Sequence, residues 1–246
     1  MKIVVIGGSG LVGAQLVNTL RHRRHDVLAA SSRTGVNTIT GEGLAEAVAG
    51  SSVVIDVTNS PAFDDATAME FFQTSCRNLV AAAETARVKH HVALSVVGTD
   101  RLLESGYFRA KMAQEDLLRA SLVPHTILRA TQFFEFVERI ACSDAEERVS
   151  PAYIQPMASE EVAAALADLA TAAPRNGMIE AAGPEMFHLD EMVRRVRRLN
   201  EDRREVITDP RARYYGAELR DDTLTPDEGA ILGVTRFDQW LKRTLH

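Results

Sequence analysis

Cysteine, lysine and tryptophan are scarce in this chain of 246 residues. The two cysteines, Cys76 and Cys142, build no disulfide framework and offer no metal-ligand spacing, which fits a reducing, cytoplasmic setting. No apolar run approaches the roughly 20 residues needed to cross a bilayer. Met1-Lys2 leads straight into an apolar strand, without the pattern of a signal peptide. A basic excess is also missing. The formal net charge is −6, which argues against a general binder of nucleic acid or of membrane surfaces. Only four lysines occur (Lys2, Lys89, Lys111 and Lys242), so the basic residues are mostly arginine. What is present is 46% hydrophobic residues and 25% charged ones, enough for a substantial core in one large domain, or one domain with a small appendage.

The most informative stretch is Ile3–Gly13, IVVIGGSGLVG. Ile3–Ile6 reads as a buried strand, and Leu11–Leu20 carries a helical apolar pattern. Gly7, Gly10 and Gly13 lie between and within them. A strand, a glycine turn and a helix together put backbone N–H groups and a helix N-terminus against a pyrophosphate. Gly7 permits the tight turn, Gly10 lets phosphates approach the backbone, and Gly13 lets helix and strand pack closely. Ser9 offers a hydroxyl donor. The context makes this a dinucleotide-binding loop.

The chain then alternates. Val27–Ala30 reads as a second strand, followed by Ser31-Ser32-Arg33 with no Asp or Glu. A carboxylate at that point binds a free ribose 2′-hydroxyl, whereas arginine accommodates a 2′-phosphate, so NADP(H) is favoured over NAD(H). Gly41–Gly50 is a short helix. Val53–Val57 is a strand ended by Thr58-Asn59-Ser60-Pro61, which puts Thr58 and Asn59 on the same sheet edge as the glycine turn. Asp56, within that strand, suits buried pairing as well as it suits function. Asp64 or Asp65 caps a long helix reaching about Arg87, with Phe72, Cys76, Leu79, Val80 and Ala83 inward. Val92–Val97 is a strand, about Tyr107–Ala120 a helix and His125–Arg129 a strand. His90 and His91 are neighbours on an extended segment and point to opposite faces, so shared metal ligation is not expected. The alternation predicts an α/β fold with a doubly wound parallel sheet.

Beyond about Ile140 the regularity weakens, and Ser143–Arg148 is polar. Ser159–Ala170 reads as a helix with Ser159 as its N-cap, Met178–Ala181 as a short strand, and Leu189–Asn200 as a helix. Arg194, Arg195, Arg197 and Arg198 would form a solvated face on that last helix. Pro226-Asp227-Glu228 resembles a helix start, and a terminal amphipathic segment carries Trp240. We expect residues 1–140 to form the dinucleotide-binding core. Residues 141–246 would form a substrate-side lobe over the cofactor edge, integrated with the core.

A second constellation is Ser95, Tyr107 and Lys111. Tyr107-Phe108-Arg109-Ala110-Lys111 spaces a phenol and an ammonium i, i+4 on one helix face. A neighbouring ammonium lowers a phenol's pKa. Such a tyrosine gives a proton to a carbonyl oxygen as hydride arrives, or takes one in reverse. Ser95, at the end of a strand on the cofactor edge, is placed to bond the same oxygen, and Lys111 to hold the nicotinamide ribose.

Together these features resemble the atypical branch of the short-chain dehydrogenase/reductase superfamily. Val54–Pro61, VIDVTNSP, and Thr126–Phe136, TILRATQFFEF, are similar to its NmrA-like, NAD(P)H-binding subgroup. The resemblance implies a Rossmann fold with the dinucleotide across the carboxyl edge of the sheet. It implies that Gly7, Ser9, Gly10, Leu11 and Val12 hold the pyrophosphate and that Ser32 and Arg33 meet the adenine ribose. Thr58, Asn59 and Lys111 would lie toward the nicotinamide, and Thr131, Gln132 and Phe133 would close over it and the substrate. Many relatives carry Asp-Leu after the third strand where this chain has Thr40-Gly41. The expected function is an NADP(H)-dependent oxidoreductase acting on a small carbonyl, quinone or similar acceptor, with a homo-oligomer as the candidate assembly. The alternatives are a non-catalytic redox sensor that reports the cofactor ratio to a partner, since some relatives of this type lack the tyrosine, and an epimerase or dehydratase that retains NAD.

Overall fold

The strand Lys2–Ile6 (β1) is β-branched from Ile3 to Ile6, and those four residues are fully buried. Such a run suits the middle of a parallel sheet covered on both faces. The computed structural model describes residues 1–137 and 148–244. The polar stretch expected at Ser143–Arg148 falls outside them except for Arg148, and the expected division at 140/141 falls outside them too.

Leu11–His22 forms α1, Asp26–Ala30 β2, Leu44–Val48 α2, Val53–Asp56 β3, and Asp65–Thr85 α3. His90–Val96 is β4, Gly106–Arg119 α4, and His125–Ala130 β5. The short strands β6 (Arg148–Val149) and β7 (Tyr153–Ile154) precede α5 (Ser159–Thr171) and β8 (Gly177–Ala182). Phe187–His188 (β9), Leu189–Leu199 (α6), Ile207–Thr208 (β10), Ile231–Leu232 (β11) and Phe237–Thr244 (α7) complete the order.

Seven strands form one sheet in the order β11-β8-β5-β4-β3-β1-β2, all parallel. From β1 the chain steps outward to β2, then returns to β3 on the other side. The reversal between β1 and β3 is the switch point at whose carboxyl edge open α/β sheets bind ligands. Gly7 leaves β1 and Val57-Thr58 leaves β3 on that edge. The expected doubly wound Rossmann-type sheet is therefore the observed fold. One apolar layer joins α1 and α5 to the sheet through Leu16, Leu20, Val162 and Leu166. On the opposite face α2 and α3 bury Leu44, Val48, Leu79 and Ala83. Asp64 caps α3, its carboxylate accepting from the Thr67 N–H at 3.0 Å.

The C-terminal third completes the sheet: β8 extends it beyond β5, β11 forms its edge, and α5 packs on α1. Three local readings change. The N-cap of α5 is Ala158, because the Ser159 hydroxyl instead donates to Glu135 Oε1 at 2.6 Å. Pro226-Asp227-Glu228 starts no helix: the Asp227 N–H goes to Glu180 Oε2 at 2.6 Å, and the chain continues into β11 beside β8. Arg197 leaves the solvated face of α6. It is buried, its guanidinium donating to the Glu205 carbonyl and lying beside Asp202.

Candidate active site

A cleft of about 710 Å³ follows the carboxyl edge of the sheet. Its floor at one end is the glycine turn. Gly7 stands at φ +82°, a left-handed conformation that favours glycine, and the Gly10 N–H closes the turn on the Gly7 carbonyl at 2.9 Å. A Cβ at Gly13 would come within 2.1 Å of the Gly7 oxygen, so α1 sits against the turn only because residue 13 lacks a side chain. A Cβ at Gly10 would meet only that oxygen, at 3.3 Å, since its other side is open cleft. No side chain caps α1 and its first turn holds no acidic residue. Its leading N–H groups are thus left for an anion. Gly7, Ser9, Gly10, Leu11 and Val12 all line the cleft, as the motif predicts.

Ser31 and Ser32, at the end of β2, line the next part. The Ser31 hydroxyl is buried without a partner among the described residues. Arg33 is exposed in the short 3-10 turn Ser32–Thr34, just outside the lining. Thr40 and Gly41, where many relatives carry Asp-Leu, do not line the cleft; Asn37, Thr38 and Ile39 do. Asn37 Oδ1 accepts from the Ile39 N–H at 2.9 Å, and the Asn78 amide holds the Thr38 and Ile39 carbonyls at 2.8 and 3.0 Å. That Asx turn was legible in Asn37; its brace from α3 was not.

Thr58, Asn59, Thr131, Gln132 and Phe133 line the cleft's centre. Two of these hydroxyls are already donated: Thr58 to Asp56 Oδ1 at 2.7 Å and Thr131 to the Gln155 carbonyl at 2.7 Å. Gln132 differs. It is buried, and neither its side-chain nitrogen nor its oxygen has a partner among the described residues. Each such group costs on the order of 1–3 kcal/mol until something pairs with it. A bound carboxamide has the donor and acceptor that this amide lacks. Open glycine cradle, uncapped helix and unpaired amide all fit a dinucleotide.

The three expected catalytic residues also line the cleft, but not as a hydrogen-bonded group. Tyr107 donates its hydroxyl proton to Asn59 Oδ1 at 3.0 Å. Burial, with Tyr215 adding to it, pushes the phenol's pKa up, so the expected lowering by Lys111 is not seen. The Lys111 ammonium instead donates to the Leu94 carbonyl at 2.9 Å and to Gln114 Oε1 at 2.6 Å, and lies 4.6 Å from the Phe72 ring centroid. Burial brings its pKa down to about 8 against the opposing pull of Asp56, Glu115 and Cys76. Gln114 passes the contact on to Asp56 Oδ2 at 2.9 Å, so the lysine is tied through β3 to the Thr58 loop. Ser95 donates to Glu115 Oε1 at 2.5 Å, which spends the proton it would have offered a substrate oxygen. Glu115 also takes Arg129 in a two-pronged contact at 2.9 Å. The signal for this network was present as Glu115 and Arg129, one on α4 and one on β5, but their meeting is tertiary.

The far end of the cleft is aromatic. Phe63, Phe71, Phe136, Tyr214 and Tyr215 join Tyr107 and Phe108 there. Of these rings the sequence motifs assign a role to Tyr107 alone: Phe108 and Phe136 stand within Tyr107–Lys111 and Thr126–Phe136 without one, Phe71 lies within α3, and Phe63, Tyr214 and Tyr215 sit in loops and turns. His90 and His91 lie away from the cleft lining. Burial brings both down to about 4. Among the described residues no group of three His, Cys, Asp or Glu could hold a metal, and no helix is long and apolar enough to cross a membrane.

A family model described as NAD(P)H-binding matches residues 7–173. The photosystem II assembly factor Ycf39 of Cyanophora paradoxa is 26% identical over 149 residues, 55% of this chain and 46% of that protein. The chain thus spans about half the length of that curated relative. Among solved structures, MoeE5 in complex with UDP-glucose and NAD superposes with a TM-score of 0.74 over 100% of both chains at 16% identity. An NADPH-dependent quinone oxidoreductase from Escherichia coli (QOR2) gives 0.66 over 99% of this chain and 100% of that one, also at 16% identity. At these identities the likeness is one of fold.

Proposed function

Because this chain belongs to the NAD(P)H-binding family, we propose that it is an NADP(H)-dependent reductase of a small carbonyl, quinone or similar acceptor. The observation that carries the reading is the Tyr107 hydroxyl, held by Asn59 in the same cleft as the glycine cradle. When bound, NADPH would supply a hydride to the acceptor. The N–H groups at the start of α1, with Ser9, Gly7 and Gly10, hold the pyrophosphate. Asn37–Ile39 face the adenine, and Ser31, Ser32 and Arg33 take the 2′-phosphate. Thr58, Thr131 and Phe133 frame the nicotinamide, and Gln132 pairs with its carboxamide.

Tyr107 is the proton donor. Its raised pKa keeps the phenol protonated at neutral pH, which suits reduction rather than a phenolate base for the reverse reaction. As the acceptor's oxygen gains charge, it outcompetes the neutral Asn59 carbonyl for the phenol's proton, whereas the Glu115 carboxylate does not release the Ser95 proton as readily. The phenol gives up its proton to that oxygen and is reprotonated from solvent. Lys111 is a positioning residue, holding the Thr58 loop through Gln114 and Asp56. Ser95 positions Glu115 and joins the substrate oxygen only if its hydroxyl turns away from that carboxylate.

The test is NADPH oxidation with a panel of aldehydes and quinones. Failure of every acceptor removes the reductase reading. Arg33→Ala weakens NADPH binding by about tenfold and leaves NADH unchanged if the guanidinium meets the 2′-phosphate. A second reading, a sensor that binds the dinucleotide without turnover, is favoured by the relative named as an assembly factor. Tight NADPH binding, no turnover and a cofactor-dependent protein partner support it.

A further inference from the structure

We propose that the substrate end of the cleft takes an uncharged, planar aromatic acceptor, stacked on Tyr215 and Phe136 with one oxygen at the Tyr107–Asn59 pair. The proposal rests on the reading that the dinucleotide occupies the glycine end.

Four rings carry the argument. Tyr215 lies nearly parallel to Phe136, at 20° and 6.1 Å between centroids, and is tilted 30° from Tyr107 at 5.8 Å. Phe63 closes on both tyrosines at 5.3 Å. All four line the cleft, from loop, helix and turn segments far apart in sequence. Aromatic side chains favour offset stacks and edge contacts with other rings over this range, so this lining is selective for a flat π-face.

Tyr215 is held there at a backbone cost. It occupies the left-handed region at φ +49°, followed by Gly216 at φ +87°. The two are the central residues of a tight turn closed by Tyr214 N–H to the Ala217 carbonyl at 2.8 Å and Ala217 N–H to the Tyr214 carbonyl at 3.1 Å. Turns with two positive φ angles favour Asn or Gly at the first position. A tyrosine in that position is the kind of local strain found at ligand sites.

Charge narrows the class. Among the described residues lining the cleft only Lys111 and Glu135 are charged, and Lys111 is bonded to the Leu94 carbonyl and Gln114. Phosphate and carboxylate recognition relies on arginine forks or free ammonium groups. Among the described residues the aromatic end has none, so a nucleotide-linked sugar or a phosphorylated substrate meets no counter-charge from them. The Tyr107 phenol and the Asn59 amide, both neutral, are suited to one carbonyl oxygen. A quinone matches the flatness, the neutrality and the oxygen. Its two-electron reduction to the hydroquinone takes the hydride supplied by NADPH and one proton at the oxygen beside Tyr107.

The experiment uses 2,3-dimethyl-1,4-naphthoquinone, whose blocked ring positions do not alkylate thiols, and the full chain saturated with NADP+, which has no hydride to give. Calorimetry measures binding to wild type, Tyr215→Asn and Phe136→Leu. Asn tolerates the left-handed backbone, so the first variant removes the ring and keeps the turn. The expected result is saturable binding, weakened at least about tenfold in both variants with NADP+ affinity within about twofold of wild type, and no displacement by UDP-glucose. The proposal is overturned if the naphthoquinone does not bind, if Tyr215→Asn binds it as wild type does, or if UDP-glucose displaces it. Ring-dependent binding with no reduction by the NADPH-loaded chain leaves the aromatic site standing and removes the reductase reading. Reduction of an aliphatic aldehyde without naphthoquinone binding does the reverse.

Discussion

Tyr107 and Asn59 meet across 48 residues of chain, phenol to carboxamide oxygen at 3.0 Å, where the loop after β3 faces the first turn of α4. The bond fixes where a proton is available in the cleft. Tyr107→Phe keeps the ring in its aromatic cage and removes that proton. We expect kcat for a carbonyl acceptor to fall by about 100-fold or more, with the NADPH dissociation constant within about twofold of wild type. Ser95→Ala, whose hydroxyl proton is already given to Glu115, lowers kcat by less than about tenfold. Steady-state kinetics on both variants checks the pair, and equal losses would contradict this division of roles.

The glycine turn separates binding from folding. At Gly10 the backbone, φ −79° and ψ 178°, is open to any residue, and an added Cβ meets only the Gly7 oxygen. Gly10→Ala is expected to leave the melting temperature within about 3 °C while weakening NADPH binding by about tenfold or more, because the methyl group stands where phosphate must approach. Gly13→Ala drives a Cβ to 2.1 Å from the Gly7 oxygen, so α1 must move and both stability and binding fall. Thermal melts with and without NADPH distinguish the two.

This much was legible in the sequence because it is local. The β-branched run before Gly7 and the helical period after it fix a strand, a turn and a helix within thirteen residues. The i, i+4 spacing of Tyr107 and Lys111 was also real, but spacing alone does not say where the two side-chain ends go. Lys111 is claimed by Leu94 and Gln114, and Ser95 by Glu115. Those partners are drawn together only when β4, β5 and α4 pack. The aromatic end was hidden for another reason. Phe63 and Tyr215 sit in segments with no periodicity, so nothing in their surroundings marked them. At Pro226-Asp227-Glu228 a local helix signal lost to the free edge of β8, which pairs with Ile231–Leu232.

The buried network behind the site predicts a stability effect apart from catalysis. Glu115, 2% exposed by its side chain, accepts from Arg129, Ser95 and Arg119. Arg129 keeps Asp100 as a second partner at 2.9 Å. Glu115→Ala leaves a buried guanidinium short of one carboxylate, and we expect a loss of about 3 kcal/mol in denaturant unfolding. A loss under about 1 kcal/mol would mean that Asp100 alone satisfies Arg129.

The buried histidines predict an acid-side weakness. Burial lowers His90, with His125 adding to the effect, and lowers His91 against the opposing pull of Asp56; both stand at about 4, below the ordinary imidazole value of about 6.5. Between those values the unfolded chain binds more protons than the folded one, so stability is fully present above about pH 6.5 and falls as pH drops toward 4. From pH 7 to pH 5, His91 alone accounts for a loss on the order of 2 kcal/mol. Unfolding of wild type and of His91→Phe over this range checks it: the variant's dependence on pH is expected to be shallower.

Whether Tyr107 protonates an acceptor as hydride arrives from bound NADPH is read in the single-turnover loss of nicotinamide absorbance. Wild type and Tyr107→Phe, each saturated with NADPH, are mixed with an aromatic aldehyde. We expect a rapid loss in wild type and a rate about 100-fold lower in the variant at equal cofactor occupancy. Full occupancy with no loss of absorbance in wild type, or equal rates in the two proteins, would contradict it.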